Sequence, residues 1–187
     1  MKQAATAVCI VALATACAGA QKKEYQVELQ HAVQQVNALA EAMPEGKYSW
    51  TPAEGVRSVS EVYMHIALGN FLLLNLLGKK LPADLYPQDL RSAARERRMA
   101  IGTLNAKLEK SVNGKARVTA ILKRSFDAVK DAYAAEDAAG LDRAVDFFGT
   151  PYPAHGVYLR IIVHINEHMG QSVAYARSVG VKPPWSQ

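Results

Sequence analysis

The spacing of the apolar residues constrains this chain most, because it follows the helical repeat in four separate stretches. In the first stretch, from Glu24 to Met43, the apolar positions step by four and three residues, which forms one stripe along a helix. No stretch alternates apolar and polar residues for long enough to predict a β-strand. The chain is therefore predicted to be all-α.

Three further helices follow from the same pattern and from residues that begin and end helices. Ser58 and Glu61 have the spacing of a capping box, in which each side chain satisfies a free backbone amide at the start of a helix. This second helix is predicted to run to about Leu77, where a glycine follows. The third and fourth main helices are predicted over residues 115–135 and 155–179. Such helices joined by loops predict a four-helix bundle.

The segment between the second and third main helices, residues 81–114, gives a weaker pattern. Pro82 and Pro87 interrupt it, while residues 89–111 have the composition of a further helix that carries several arginines. We therefore expect an extra short helical or irregular segment here. Glu96 interrupts the arginines, and no aromatic residues are interleaved with them for stacking on bases. The cluster predicts a solvated helix face, and no nucleic-acid partner is expected.

The first twenty residues have the pattern of an export signal. Lys2 precedes an uncharged, largely apolar run that ends at Ala20, and polar sequence begins abruptly at Gln21. A small-x-small motif predicts cleavage before Gln21, which assigns residues 1–20 to a signal peptide and residues 21–187 to a periplasmic or otherwise exported domain. The run is too rich in alanine to favour a membrane span, and none is expected in the mature form.

A second processing motif leaves a lipoprotein open as an alternative. Residues 13–17 resemble a bacterial lipobox, in which Cys17 would be acylated and would anchor the domain to a membrane. The other cysteine, Cys9, lies in the same segment, so the mature domain contains no thiol unless Cys17 is retained. A metal site in the domain is thereby restricted to histidine, carboxylate and water ligands.

Three of the five histidines lie where a metal site would need them. His164 and His168 are four residues apart, so on a helix both rings project from the same face. The position of His65 on the very apolar second helix predicts that its ring points into the bundle. Neutral imidazoles from two helices would form a three-histidine site with room for water or substrate, as in catalytic metal centres. The helical phase places Tyr175 on the same face, as a candidate catalytic acid or base.

The histidine pair also matches a different motif, His164-x-x-Glu167-His168, which is the pattern of an inverted zincin protease. In that class two histidines bind zinc, the glutamate is the general base, and a carboxylate further along the chain completes the site. No aspartate or glutamate follows His168 in this sequence. The protease interpretation is therefore disfavoured, and Glu167 is expected to lie beside the site or on the surface.

The same segments carry a resemblance to a known family, and it covers most of residues 24–187. The matching motifs are Met43-Pro44-Glu45-Gly46-Lys47-Tyr48, Arg57-Ser58-Val59-Ser60-Glu61 leading to His65, Leu122-Lys123-Arg124-Ser125-Phe126-Asp127, His164-x-x-Glu167-His168-x-Gly170-Gln171, Tyr175-Ala176-Arg177 and Gly180-Val181-Lys182-Pro183-Pro184. The chain resembles the DinB-like superfamily of small four-helix bundles. This resemblance implies that His65, His164 and His168 match the family's metal ligands, which typically hold zinc, nickel or another divalent ion.

Three functions are compatible with these features. The first is an exported hydrolase or transferase that uses one divalent ion to act on a small molecule. The resemblance also implies a metal-dependent thiol S-transferase, although export argues against it because low-molecular-weight thiols are concentrated in the cytosol. The third is a non-catalytic binding module that the metal stabilises. A homodimer stays open as the assembly of the bundle.

Overall fold

A computed structural model describes the backbone of residues 2–87 and 95–186, and the side chains of residues 22–87 and 98–186. Helices dominate the described residues, with one 3₁₀ turn and one β-hairpin. In chain order the elements are α1 (Lys2–Ala42), the 3₁₀ turn (Glu45–Lys47), α2 (Val59–Leu76), α3 (Arg95–Ser111), α4 (Lys115–Ala134), α5 (Ala138–Asp142), β1 (Ala144–Phe147), β2 (Thr150–Pro153) and α6 (Ala154–Ser178).

Four long helices form the bundle. They contact their neighbours in the ring order α1, α4, α2, α6, and α3 packs against α2. Their inward sides merge into one apolar core that includes Val36, Ile66, Leu122 and Ile161. The prediction of an all-α four-helix bundle is confirmed. The additional segment between the second and third main helices contains α3, a full helix of 17 residues.

The ends of α2 and α6 lie at the residues predicted to set them. The Ser58 side chain accepts a hydrogen bond from the Glu61 amide, and the Glu61 carboxylate accepts one from the Ser58 amide at 2.6 Å, so the capping box is present. Gly78 and Gly180 follow α2 and α6 with φ of +81° and +79°, the left-handed conformation that ends a helix. Because α2 begins at Val59, these boundaries place His65 in the second turn of the helix.

A β-hairpin lies between α5 and α6, where the sequence pattern predicts only a loop. β1 and β2 pair antiparallel, with Phe147 opposite Thr150. The two turn residues, Phe148 and Gly149, have positive φ of 53° and 97°, as in the two-residue turns that match the twist of paired strands. The strands have four residues each, too few for a recognisable alternation. The hairpin packs near α2 and α6.

The N-terminal helix continues through the predicted cleavage site before Gln21 without a break. Its first described side chain belongs to Lys22, which donates hydrogen bonds to the carbonyls of Ala134 and Glu136 at 2.9 and 2.6 Å. The predicted signal peptide, over residues 1–20, and the predicted lipid anchor at Cys17 concern side chains outside the described part of the chain.

Among the residues whose side chains are described, α2 has the length and mean hydropathy of a membrane-spanning segment. Within the bundle, 78% of this stretch is buried against the other helices. A helix buried to this extent is a core helix of the bundle. Its central position explains why α2 is apolar around most of its circumference.

The predicted arginine cluster lies mostly outside the described side chains, which begin again at residue 98 after the gap. Arg98 itself is largely buried and donates a hydrogen bond to the Asp146 carboxylate at 2.7 Å. This contact joins α3 to β1. At least this arginine therefore holds the hairpin in place rather than facing solvent.

Candidate metal centre

The three predicted histidines come together between α2 and α6. Each offers a ring nitrogen, and these nitrogens all lie within 4.8 Å of one another. The centroid of the His65 ring lies 5.0 Å from that of His164 and 4.5 Å from that of His168, and the last two are 4.7 Å apart. Two of the rings come from adjacent turns of α6, and the third comes from the facing side of α2.

A glycine on α2 makes room for this arrangement. Gly69 lies one turn after His65, and a Cβ atom at this position would overlap Cε1 of the His164 imidazole. The ring of His164 therefore packs directly on the α2 backbone. The close approach explains how ligands on two different helices reach a common centre.

The outer nitrogen of His65 is held by α3. Its Nδ1 lies 2.6 Å from Oε1 of Glu109, and Oε2 of the same carboxylate accepts a hydrogen bond from Arg57 Nε at 2.9 Å. Burial opposes ionisation of Glu109, but the hydrogen bonds from His65 and Arg57 outweigh it and lower the pKa of this carboxyl group. Glu109 is therefore a carboxylate that accepts a hydrogen bond from the Nδ1–H group of His65, which leaves Nε2 of this ring with its lone pair free.

The outer nitrogen of His168 is held by its own helix. Its Nδ1 lies 2.9 Å from Oε1 of Gln171, whose Nε2 donates to the Tyr175 hydroxyl at 2.9 Å. That hydroxyl in turn donates to the backbone carbonyl of Arg57 at 3.0 Å. Because the amide oxygen of Gln171 can only accept, Nδ1 of His168 carries the proton and its Nε2 is free.

The third ring has a nitrogen without a hydrogen-bond partner. Nδ1 of His164 is buried and has none among the described residues. Burial, reinforced by the nearby His168 and His65, lowers the pKa of His164 to about 3. Burial also lowers the pKa of His168, although the hydrogen bond that its Nδ1 donates to Gln171 acts in the opposite direction. Both rings are therefore neutral at pH 7, the form in which imidazole binds a metal ion.

These contacts fit a divalent metal ion. Two imidazoles have their outer nitrogens occupied by hydrogen bonds, as is usual for metal-ligating histidines. The third has a buried Nδ1 whose lack of a partner costs free energy, and an ion bound at this atom would satisfy it. A set of three imidazole nitrogens suits zinc or nickel, and it leaves coordination positions open. The cluster is thus able to hold a metal.

The other two residues singled out in the sequence lie further from the three rings. Tyr175 is buried and reaches His168 only through Gln171, while its ring packs edge-on against Trp50 at 5.4 Å. Glu167 lies on the surface of α6 and forms a two-pronged ion pair with Arg160, at 2.7 and 3.1 Å. Neither carboxylate oxygen of Glu167 is aimed at the histidines in these contacts.

Sequence reasoning missed Glu109 as part of this site. The residue lies on α3, in the segment whose pattern was weakest, and it differs in no local respect from the other charged residues there. Only the packing of α3 against α2 brings it to His65. A pairing of this kind depends on tertiary structure and has no signal in the spacing of residues.

A cavity of about 380 Å³ opens beside the rings of His65 and His164. Its walls come from α2, α3, the hairpin and α6. The lining residues besides the two histidines are Arg57, Gly69, Leu72, Leu73, Gly102, Asn105, Ala106, Glu109, Phe147, Phe148 and Arg160. Most of the wall is apolar, and two of its polar residues, Arg57 and Glu109, lie at His65. A cavity of this size accommodates a small organic molecule.

Several solved structures share the fold. A DinB-like protein from Bacillus subtilis is 19% identical, with a TM-score of 0.62 over 88% of this chain and 98% of that chain. A DinB-like protein from Bacillus cereus is 17% identical, with a TM-score of 0.57 over 88% and 97% of the two chains. The mycothiol-dependent maleylpyruvate isomerase is 14% identical, with a TM-score of 0.61 over 80% of this chain and 59% of that chain.

The family assignment comes from a comparison of sequences. No curated protein matched the chain significantly. A family model described as the DinB superfamily matches residues 28–172, which include all three histidines. This match agrees with the similar folds and confirms the resemblance seen in the sequence motifs. The chain belongs to the DinB superfamily.

Proposed function

We propose that the mature chain is an exported metal-dependent enzyme, a hydrolase or transferase that acts on a small molecule. In this proposal His65, His164 and His168 hold one divalent ion, zinc or nickel. The observation that carries it is a cluster of three imidazoles, two of which line a cavity, with two of the outer nitrogens already held by hydrogen bonds. Structural metal sites are usually closed, whereas this one faces a space that a substrate can enter.

The chain's own residues divide the work around the ion. Glu109 and Gln171 fix the rings of His65 and His168 so that Nε2 faces the centre. A bound divalent ion supplies Lewis acidity, which polarises a substrate oxygen or a water molecule. Tyr175 is the proposed proton donor or acceptor, but its hydroxyl is linked to His168 through the Gln171 amide, which does not relay protons. We therefore propose that the main role of Tyr175 is to position Gln171 and, through it, the His168 ring.

Metal content tests this proposal directly. Protein purified without chelator, or supplied with zinc or nickel, is expected to contain close to one ion per chain by elemental analysis. His65→Ala, His164→Ala and His168→Ala should each lower that content strongly. His31→Ala is the matched control, because His31 is exposed on α1. Absence of metal from the wild type, or full occupancy in the three variants, would overturn the site.

The thiol S-transferase is the second candidate function. The isomerase with the similar fold is described as mycothiol-dependent, which makes a thiol co-substrate a specific hypothesis for this chain. Ester and amide substrates should be compared with thiol transfer to an electrophile, using the wild type and His164→Ala. Activity confined to the thiol reaction would favour the transferase. Equal rates in both proteins would favour a binding module without catalysis.

Export is part of the proposal and has its own test. The apolar run before Gln21 and the absence of cysteine from the rest of the chain support it. Cell fractionation of the full chain in a bacterial host should place the product outside the cytoplasm, with a new N-terminus at Gln21. A product that begins with acylated Cys17 would establish the lipoprotein instead. Retention of the uncleaved chain in the cytoplasm would contradict export.

The proposed partners follow from the same features. A small molecule in the cavity is the expected ligand, and nucleic acid is not. A homodimer is the one assembly that we propose to examine, by light scattering of the mature chain across a range of concentrations. A constant monomer mass would exclude it.

A further inference from the structure

We propose that the cavity beside the histidines binds an organic anion that carries an aromatic or branched apolar group, and that Phe148 selects this group. The inference rests on the proposed function for the role of the metal end of the cavity. It goes beyond that function because it names the chemical class of the ligand and a residue that determines specificity.

The charges around the cavity favour an anion. Arg57 and Arg160 both line it. Arg57 forms an ion pair with Glu109, and Arg160 forms one with Glu167. The protein groups are therefore close to neutral in sum. A divalent ion on three neutral imidazoles would leave the site positive, with two guanidinium groups nearby. A carboxylate group of the ligand would neutralise this positive charge.

The wall away from the histidines is apolar. Leu72, Leu73 and Phe147 form part of it, and Gly102 on α3 leaves it open. A Cβ atom at Gly102 would meet no atom within 4 Å. A glycine in the middle of a helix lowers the stability of the helix by up to about 1 kcal/mol relative to alanine. Gly102 therefore keeps this part of the wall free of a side chain at a cost in stability. An apolar group of the ligand fits there.

Phe148 stands at the mouth of this wall in an unusual conformation. Its φ of 53° is in the left-handed region, which a bulky residue rarely adopts and which asparagine or glycine normally occupies in such turns. The side chain is 57% exposed and still lines the cavity. The turn is also held by a hydrogen bond from the Gly149 amide to Asp146 at 2.5 Å. A two-residue turn does not require an aromatic side chain. The ring of Phe148 packs edge-on against Phe147, with 4.9 Å between the ring centroids, so the two rings form one aromatic surface that a ligand in the cavity can contact.

Replacement of the ring by the residue that the turn prefers tests this role. We expect zinc-loaded wild-type protein to bind 3-phenylpropionate about tenfold more tightly than acetate in calorimetric titrations, because the phenyl group is buried on the apolar wall. Phe148→Asn should reduce this ratio to about threefold or less, with a melting temperature equal to or above that of the wild type. Leu159→Asn is the control, since Leu159 is 56% exposed on α6 and does not line the cavity.

A second variant fills the space instead of removing the ring. Gly102→Leu should abolish the preference for 3-phenylpropionate, while zinc uptake stays at one ion per chain. Thr103→Leu adds the same side chain one position along α3, at an exposed residue outside the cavity. This control should bind both carboxylates as the wild type does.

The outcomes separate this inference from the proposed function. Equal affinity of the wild type for the two carboxylates, or an unchanged preference in Phe148→Asn, would overturn the inference while the metal site stands. A wild type that takes up no metal would overturn the proposed function. The same titrations of metal-free protein then test the inference. A preference for 3-phenylpropionate that is lost in Phe148→Asn would support it, and equal affinity of the wild type for the two carboxylates would contradict it.

Discussion

The Nδ1 atom of His65 lies 2.6 Å from Oε1 of Glu109, so a residue of α2 in the candidate metal centre is oriented by a residue of α3. The second oxygen of the carboxylate binds Arg57, directly before the capping box of α2. The Glu109 carboxylate thus connects α3 both to α2 and to the loop that precedes α2. This arrangement makes the outlying helix α3 a part of the centre.

Removal of the Glu109 carboxylate should weaken metal binding without removing a ligand. We expect Glu109→Ala to lower zinc affinity about 10- to 100-fold, the usual effect of losing a partner of a metal-ligating histidine. Glu109→Gln should lose less, because its amide oxygen can still accept from Nδ1. Competition with a coloured chelator measures both, with Glu28→Gln on the exposed surface of α1 as the control. Unchanged affinity in Glu109→Ala would show that His65 needs no outer partner.

The same substitution in two helices should have opposite effects on stability. Gly69→Ala forces the His164 ring away from α2 and should lower the free energy of unfolding by about 1 to 3 kcal/mol, with weaker metal binding. Gly102→Ala meets no atom and should raise it by roughly 0.5 to 1 kcal/mol, through better helix propensity. Urea denaturation of the two variants gives both values. A stabilised Gly69→Ala would mean that the His164 ring does not pack as described.

The metal-free protein should lose stability as the pH falls below about 6.5. Because burial lowers the pKa of folded His164 to about 3, the unfolded chain binds a proton there before the folded chain does. Between pH 7.5 and 5 this difference amounts to about 2 kcal/mol. Urea denaturation with chelator present should show the loss, and the pH slope should be smaller in His164→Gln.

His31→Gln serves as the comparison for that slope, since His31 is exposed on α1. Direct titration of the histidine rings by nuclear magnetic resonance checks the sign without any variant. The His164 ring should stay neutral at pH 5. A His164 ring that takes up a proton near pH 6.5 would contradict the burial argument.

Tyr175→Phe should leave the metal site in place. The change removes the hydroxyl that accepts from Gln171 and donates to Arg57, at a cost of about 1 kcal/mol in unfolding free energy. The phenyl ring keeps its packing against Trp50, so one ion per chain should still be found by elemental analysis. A complete loss of the ion would make Tyr175 a structural support of the centre rather than a residue beside it.

Much of the site was visible in local spacing. The pair His164 and His168 depends only on the helical repeat, and the direction of His65 depends only on the apolar stripe of its helix. The capping box at Ser58 likewise needs a single turn of helix. Features that one helix determines could therefore be predicted.

Contacts between elements were not predictable in this way. Glu109 reaches His65 because α3 packs on α2, and Phe148 reaches the cavity because a short hairpin folds back towards α2 and α6. The hairpin depends on pairing and on two positive φ values, which four-residue strands do not reveal. These contacts arise from the register of distant segments, and a local pattern carries no information about it.

The placement of the histidines on α2 and α6 affects how an ion would enter. His65 and His164 are roughly 100 residues apart, so an ion joining them in an unfolded chain would have to close a very long loop. In this fold the apolar contact between α2 and α6 has already closed that loop. An ion would therefore bind to a domain that is already folded, unlike the ion of a zinc finger, whose binding drives folding. If the proposed site binds metal, we expect one metal to replace another without unfolding of the bundle.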